Sequence, residues 1–218
     1  MCEYRQKERT IVSAFDFDGT LTTADTFMAF IRFTHGRCRM LQGFLRHVHW
    51  LFLMRLGLCP SWKVKEKIFG YFYKGTTYGQ FTKWGHGFSD RVEMMLNSQT
   101  VEALRQHQTK GHTVCVVTAS IDEWVRPVCE RLGIHTVLAT QIEVSADGKL
   151  TGRFLSPNCN GAQKVSRLSE VFPERQTFRL YAYGDSRGDD ELLKYADEPF
   201  LVEHRSRSMI CQHFLGKK

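Results

Sequence analysis

Asp16 and Asp18 stand two residues apart at the end of a short apolar run, Ile11–Val12–Ser13–Ala14–Phe15, and are followed by Gly19, Thr20, Leu21 and Thr22. Two carboxylates that close repel each other and are costly to bury alone, so a cation is expected between or beside them. Three later segments offer partners. Val116–Val117 runs into Thr118–Ala119–Ser120, where a hydroxyl and the backbone N–H groups of a helix start can hold an anion. Lys164 follows Cys159–Asn160–Gly161–Ala162–Gln163 near another helix start. Tyr183–Gly184 leads into Asp185, Ser186, Arg187, Gly188, Asp189 and Asp190, an oxygen-rich set of the kind that suits Mg²⁺ beside a phosphate. Each segment has an ordinary reading when taken singly: an Asp/Gly turn, a hydroxyl helix cap, a solvated lysine. Four of them in one chain, in this order, argue for a single site.

Such a site needs strands that end together. Apolar runs at 11–15, 113–117, 137–140, 179–183 and 200–202 alternate with helical patterns at 100–110, 121–132 (with Pro127 inside), 162–171 and 189–196. That alternation predicts an α/β fold with a doubly wound parallel sheet, whose ligands sit at the carboxyl ends of the strands. Residues 141–145 and 149–154 flank Ala146–Asp147–Gly148, a hairpin signal. Residues 24–95 lack strand alternation and read as mostly helical: one helix near 40–56, stopped by Gly57 and Pro60, one over 62–73 and one over 78–96. The expected division is a core domain of 1–23 and 97–218 with an inserted helical cap domain at 24–96, hinged near Thr22–Ala24 and Asn97–Thr100 so that it closes over substrate and excludes water.

Composition narrows the partners. The chain has 218 residues, 42% of them hydrophobic and 24% charged, enough for one large domain with an insert and unlike a disordered chain. Its net charge of +7 is concentrated in residues 24–95, which carry eleven Lys/Arg against four Asp/Glu. A basic segment favours a phosphorylated substrate, an acidic membrane face or nucleic acid. No nucleic-acid-binding motif or stacking platform accompanies it, so nucleic acid is not expected. The seven cysteines form no CxxC pair and read as reduced thiols of a cytoplasmic protein. The polar segment 1–10 is not a signal peptide, and no run of 18 apolar residues exists. Localisation is therefore expected to be cytoplasmic, with peripheral contact at the inner membrane face through the basic helices.

The ordered set DxDGT, Thr/Ser, Lys and GDxxxD resembles the haloacid dehalogenase-like hydrolases over residues 11–203, and the helical insert after the first motif resembles subfamily IB, its phosphoserine-phosphatase-like and phosphatidylglycerophosphatase-C-like branch. The resemblance implies a Mg²⁺-dependent phosphomonoesterase with an aspartyl-phosphate intermediate. Asp16 then matches the nucleophile and Asp18 the general acid/base, whose presence favours phosphate chemistry over dehalogenation. Thr118, Ala119 and Lys164 match the phosphate-binding residues. Asp16, Asp18 (through its backbone carbonyl), Asp185 and Asp189 match the metal site, and Asp190 reads as a helix N-terminal charge. A non-catalytic phosphate-binding relative would have lost one of these residues, and none is lost.

The substrate is less determined. Phosphoserine phosphatases place a Glu nine residues past the nucleophile, where Asp25 stands here, and Ser-Gly-Gly-Phe where this chain has Thr118–Ala119–Ser120–Ile121. Asp25 reads equally as a substrate-specificity residue and as a helix cap. The apolar, basic helix at 40–56 resembles the caps of phosphatidylglycerophosphatase-C-like proteins, which makes a lipid phosphate such as phosphatidylglycerophosphate the leading expectation. The alternative is a soluble phosphate ester, phosphoserine-like, with Trp50–Met54 simply packing the cap.

Overall fold

In a computed structural model, which describes residues 9–155, 158–203 and the backbone of 209–211, the apolar run before Asp16 forms strand β1 (Thr10–Phe15) at the centre of a sheet. β1 lies between β2 (Thr113–Ile121) and β6 (Phe178–Gly184) and is parallel to both. β3 (Thr136–Thr140) extends the sheet beyond β2, and β7 (Glu198–Val202) beyond β6, again in parallel. A short antiparallel edge strand, β8 (Met209–Cys211), which the sequence pattern did not suggest, follows β7. The register sets Phe15 beside both Val116 and Tyr183. Asp16, the irregular Thr118–Ser120 end of β2 and the Gly184–Asp185 step therefore lie at the carboxyl end of the sheet.

Alternation along β1 divides the core, because successive strand side chains point to opposite faces. Val12 and Ala14 pack with Leu168 of α7 (Ala162–Val171) and Leu192 of α8 (Asp190–Tyr195). Phe15 points the other way, into a cluster with Leu104 of α5 (Ser98–Thr109) and Trp124 of α6 (Asp122–Arg131). Helices on both faces of a five-stranded parallel sheet make the doubly wound α/β fold that the pattern predicts.

Between β1 and α5 lies a helical region: α1 (Thr26–Arg46), α2 (Val48–Arg55), α3 (Ser61–Tyr73) and α4 (Tyr78–Glu93). It shares its core with the sheet. Phe30 of α1 stacks on Trp124 at 4.4 Å between ring centres and packs edge-on against Phe81 and Phe88 of α4. α4 crosses α6 closely, since a Cβ added at Gly85 would stand 2.4 Å from the Glu123 carbonyl oxygen. That carbonyl is the one whose helical partner would be residue 127, a proline without an N–H.

Three details differ from the sequence reading. The helix expected near 40–56 is two helices, meeting at His47, whose Nδ1 lies 2.7 Å from the Gly43 carbonyl oxygen; α1 is itself interrupted at Gly36 (φ +76°). β2 runs on to Ile121, and its pairing with β3 shifts between Val117 and Ile121, so Thr118–Ser120 lie in an irregular strand end rather than at the helix start. The hairpin of β4 (Ile142–Val144) and β5 (Leu150–Phe154) forms its own two-stranded sheet and joins the helical region through Gly75 N–Leu150 O and Leu150 N–Thr76 O, both 2.8 Å, and Tyr78 N–Gly148 O at 2.9 Å. Where the helical region meets the sheet, Thr23 N donates to Met95 O and Asn97 N to Leu21 O, each at 2.8 Å.

Candidate active site

Asp16 is buried at the end of β1, where its N–H donates to the Tyr183 carbonyl at 2.9 Å and continues the β1–β6 ladder. The chain then turns sharply through Gly19, whose φ is +79°. A side chain at that position would be strained and would place its Cβ 2.2 Å from Asp185 Oδ2, so glycine lets the two loops close on each other. The last of the three carboxylates, Asp189, is fully buried. Its Oδ2 accepts from Ser186 Oγ at 2.9 Å and from the N–H groups of Ser186 and Asp185 at 3.1 and 3.3 Å. Asp189 thereby folds the Asp185–Gly188 loop around itself.

Lys164, in the first turn of α7 and only 2% exposed, joins these loops. Its Nζ donates to Asp16 Oδ1 and Asp189 Oδ1, both at 2.5 Å. Burial alone would lower the pKa of this ammonium, but the two carboxylates outweigh it and raise the pKa above that of free lysine. Burial pushes Asp16 up to about 7, with Lys164 opposing and the Asp189 and Asp18 charges adding to the rise.

Asp18 is held separately. Its Oδ1 accepts from the Thr26 N–H at 3.0 Å and Thr26 Oγ1 at 2.6 Å, and its Oδ2 from Ser120 Oγ. Burial and the Asp25 charge raise its pKa, while Lys65 and the hydrogen bonds from Ser120 and Thr26 oppose the rise. Thr26 Oγ1 is fixed in turn by the Trp124 indole N–H at 3.0 Å.

Asp16, Asp185 and Asp189 each offer an oxygen, and these atoms lie within 4.8 Å of one another. The set is all oxygen, and the surrounding charges are five carboxylates (Asp16, Asp18, Asp25, Asp185, Asp189) against the ammoniums of Lys164 and Lys65. A hard divalent cation fits both the donors and the missing charge. The Asp18 carboxylate does not join this cluster; its oxygens are taken by Thr26 and Ser120.

The remaining expected residues are close by. Thr118 is buried, and its Oγ1 accepts from the Ser120 N–H at 3.1 Å. The Ala119 carbonyl accepts from Lys65 Nζ and Thr140 Oγ1, each at 3.1 Å. Asp25 caps α1, accepting from the Met28 N–H at 3.0 Å, and also lines a cavity of about 530 Å³ with Asp18, Gly19, Thr23, Ala24, Asp185 and Ser186. The hydrogen bond shows the helix-cap reading of Asp25. Sequence reasoning missed Thr26, Ser120 as a partner of Asp18, and Lys65. Ser120 lies in a hydroxyl-rich motif and was within reach; nothing local distinguishes Thr26 or Lys65.

Carboxylates, a buried lysine and a hydroxyl gathered at the carboxyl edge of a doubly wound sheet suit a hydrolase that works on an anionic group. The family model of haloacid dehalogenase-like hydrolases matches residues 14–194, and the chain belongs to that family. It is 35% identical over 193 residues to Protein CicA of Caulobacter vibrioides, covering 86% of this chain and 84% of that one. Among solved structures it resembles a protein of unknown function from Bordetella pertussis Tohama I (TM-score 0.74, 23% identity, 87% and 89% of the two chains). It also resembles a substrate-bound phosphoserine phosphatase (TM-score 0.60, 20% identity, 87% and 84%). At these identities the two structures speak for the fold, including its helical region.

Proposed function

We propose that the chain is a Mg²⁺-dependent phosphomonoesterase that hydrolyses a small, soluble, polar phosphate ester through a phosphoryl group carried on Asp16. The observation that carries this reading is the buried Lys164, bridging Asp16 and Asp189 beside Asp185. It holds Asp16 in one orientation and supplies a positive charge where phosphate oxygens must rest. Asp16 attacks phosphorus, the bond to the leaving oxygen breaks, and Asp18 gives that oxygen its proton. Asp18, now ionised, takes a proton from water as the water oxygen attacks phosphorus, which releases inorganic phosphate and restores Asp16. The raised pKa of Asp18 suits it to carry the first proton, and Thr26 and Ser120 fix its position. Thr118 and the Ala119 backbone take the role of phosphate-binding groups. Asp16, Asp185 and the Asp18 carbonyl would hold Mg²⁺, with Asp189 bracing the loop, and the ion would supply positive charge against the phosphoryl oxygens.

The substrate reading rests on the cavity. Ala24 is the one aliphatic side chain among its lining residues, so it suits a polar leaving group better than acyl chains. The phosphoserine phosphatase likeness supports the same reading. Asp25 and Lys65, both close enough to shift Asp18, offer opposite charges for a leaving group carrying an amine and an acid. A panel of phosphoserine, other amino-acid and amino-alcohol phosphates, sugar phosphates, nucleotides and phosphatidylglycerophosphate tests this, with Asp16→Asn alongside. Mg²⁺-dependent release from an amine-bearing soluble ester, lost in the variant, is expected. Preference for phosphatidylglycerophosphate would overturn the substrate reading, and release unaffected by Asp16→Asn would overturn the mechanism.

A further inference from the structure

Helix α2, Val-His-Trp-Leu-Phe-Leu-Met-Arg, is rich in large apolar residues, yet none of its residues is fully buried. Trp50, Leu51, Leu53 and Met54 lean partly on the core, as expected for cap packing. The other side does not. Leu41, Leu45, Val48, Phe52 and Leu56 are each between 55% and 62% exposed, and Leu58 beyond them is 72% exposed. Leu41 and Leu45 are four residues apart in α1, and Val48, Phe52 and Leu56 follow at the same spacing along α2 and its C-terminal cap, so each helix carries an exposed apolar row. Single exposed leucines are ordinary, but six large apolar residues exposed within 41–58 mark a surface that is covered in use.

Charge selects what covers it. Residues 26–65 hold seven Lys/Arg and no Asp or Glu. Arg39, Arg46 and Arg55 are exposed beside the row. A second copy of the chain would meet this face with the same cations and no acid to pair them, which opposes a self-complementary contact. An apolar row flanked by arginines, in a region without acidic residues, has the form of a helix lying in the plane of an anionic lipid surface, with its leucines and Phe52 among the upper acyl chains and its arginines on the headgroups. No helix among the described residues is long and apolar enough to cross a membrane, so the contact is peripheral.

We infer that the α1–α2 face docks the protein on anionic lipid bilayers. This concerns where the enzyme sits rather than what it hydrolyses, and it stands independently of the proposed substrate. The test is flotation of the full chain with vesicles of phosphatidylcholine alone or with about a third phosphatidylglycerol, at low and physiological salt. Wild type is expected to float with the anionic vesicles and to be at least tenfold less bound by phosphatidylcholine. Phe52→Glu/Leu56→Glu is expected to lose at least tenfold of that binding while keeping wild-type circular dichroism and wild-type turnover of a soluble phosphate ester. Arg46→Glu/Arg55→Glu is expected to lose binding most steeply at low salt. Equal flotation of Phe52→Glu/Leu56→Glu would overturn the inference. So would failure of the wild type to float, including the case where light scattering finds a dimer that the same variant dissociates, or where only an acidic protein partner is retained.

Discussion

Replacing Lys164 with Met tests how the site is held together. The ammonium sits 2.5 Å from both Asp16 and Asp189 and is almost wholly shielded from water. At an effective dielectric of about 20, each contact is worth about 7 kcal/mol of Coulomb attraction. Desolvating the three ions costs several kcal/mol apiece, so the net contribution is far smaller than the sum of the attractions. Removing only the cation leaves two buried carboxylates facing each other, a change that typically destabilises by about 3–5 kcal/mol. Protonating Asp16, which burial pushes up to about 7, relieves the repulsion, so the penalty is expected to be largest near pH 8 and smaller near pH 5. Urea denaturation of both proteins at the two pH values, in chelator, reads it directly. Adding Asp189→Asn to Lys164→Met removes one of the facing charges and is expected to recover part of the loss. Phosphatase activity is expected to fall at least a hundredfold in either variant, because Asp16 loses its anchor. A Lys164→Met protein within about 1 kcal/mol of wild type at pH 8 would refute the reasoning, since buried-pair breakage does not come so cheaply.

Gly19→Ala is expected to cut turnover at least a hundredfold by pushing Asp185 out of the cluster, with loss of the Mg²⁺-induced rise in melting temperature as an independent readout. Gly85→Ala is expected to destabilise by about 1–3 kcal/mol, measured by denaturation, because the added methyl meets the Glu123 carbonyl across the α4–α6 contact. His107, packed against the Tyr183 hydroxyl at 3.0 Å and His112 at 2.7 Å, is pushed down from 6.5 to about 4, first by burial and then by His112 and Lys110. The unfolded chain therefore binds a proton that the fold refuses between these values. Stability from this group is present above about pH 6.5 and lost as pH falls towards 4, by up to about 3 kcal/mol. His107→Gln is expected to flatten that part of the pH–stability curve, and an unchanged slope would contradict the assignment. If the helical region opens and closes, hydrogen exchange at Thr22–Ala24 and Asn97–Thr100 is expected to slow on adding Mg²⁺ and a phosphate mimic. Identical rates in both states would argue against such hinges.

The strand-end motifs were legible because each is local: an apolar run sets a buried strand, and the polar residues directly after it must sit at the sheet's edge. The parallel register then brings Asp16, Thr118 and Asp185 together with no further information. The support of Asp18 was not legible for the opposite reason. Thr26 belongs to the next helix, Ser120 is 102 residues away, and Lys65 arrives from α3. None carries a local pattern that separates it from other hydroxyls and lysines. The break at His47 also escaped, because apolar spacing continues across it without a glycine or proline. Along α2 the same helix partly packs on the core with Trp50, Leu51, Leu53 and Met54 while exposing Phe52 and Leu56, a split that depends on tertiary contacts. The hairpin was visible as a turn signal, but its attachment to residues 75–78 was not.

The central claim is that Asp16 carries the phosphoryl group. Its most direct measurement is to mix the Asp18→Asn variant with Mg²⁺ and an aryl phosphate, whose leaving group needs no proton, quench in acid, and map the covalent phosphate by peptide mass spectrometry. The account predicts one phosphoryl group on Asp16, absent when Asp16 is also changed to Asn. Turnover of the aryl phosphate with no protein-bound phosphate, or with the label on another residue, would contradict it.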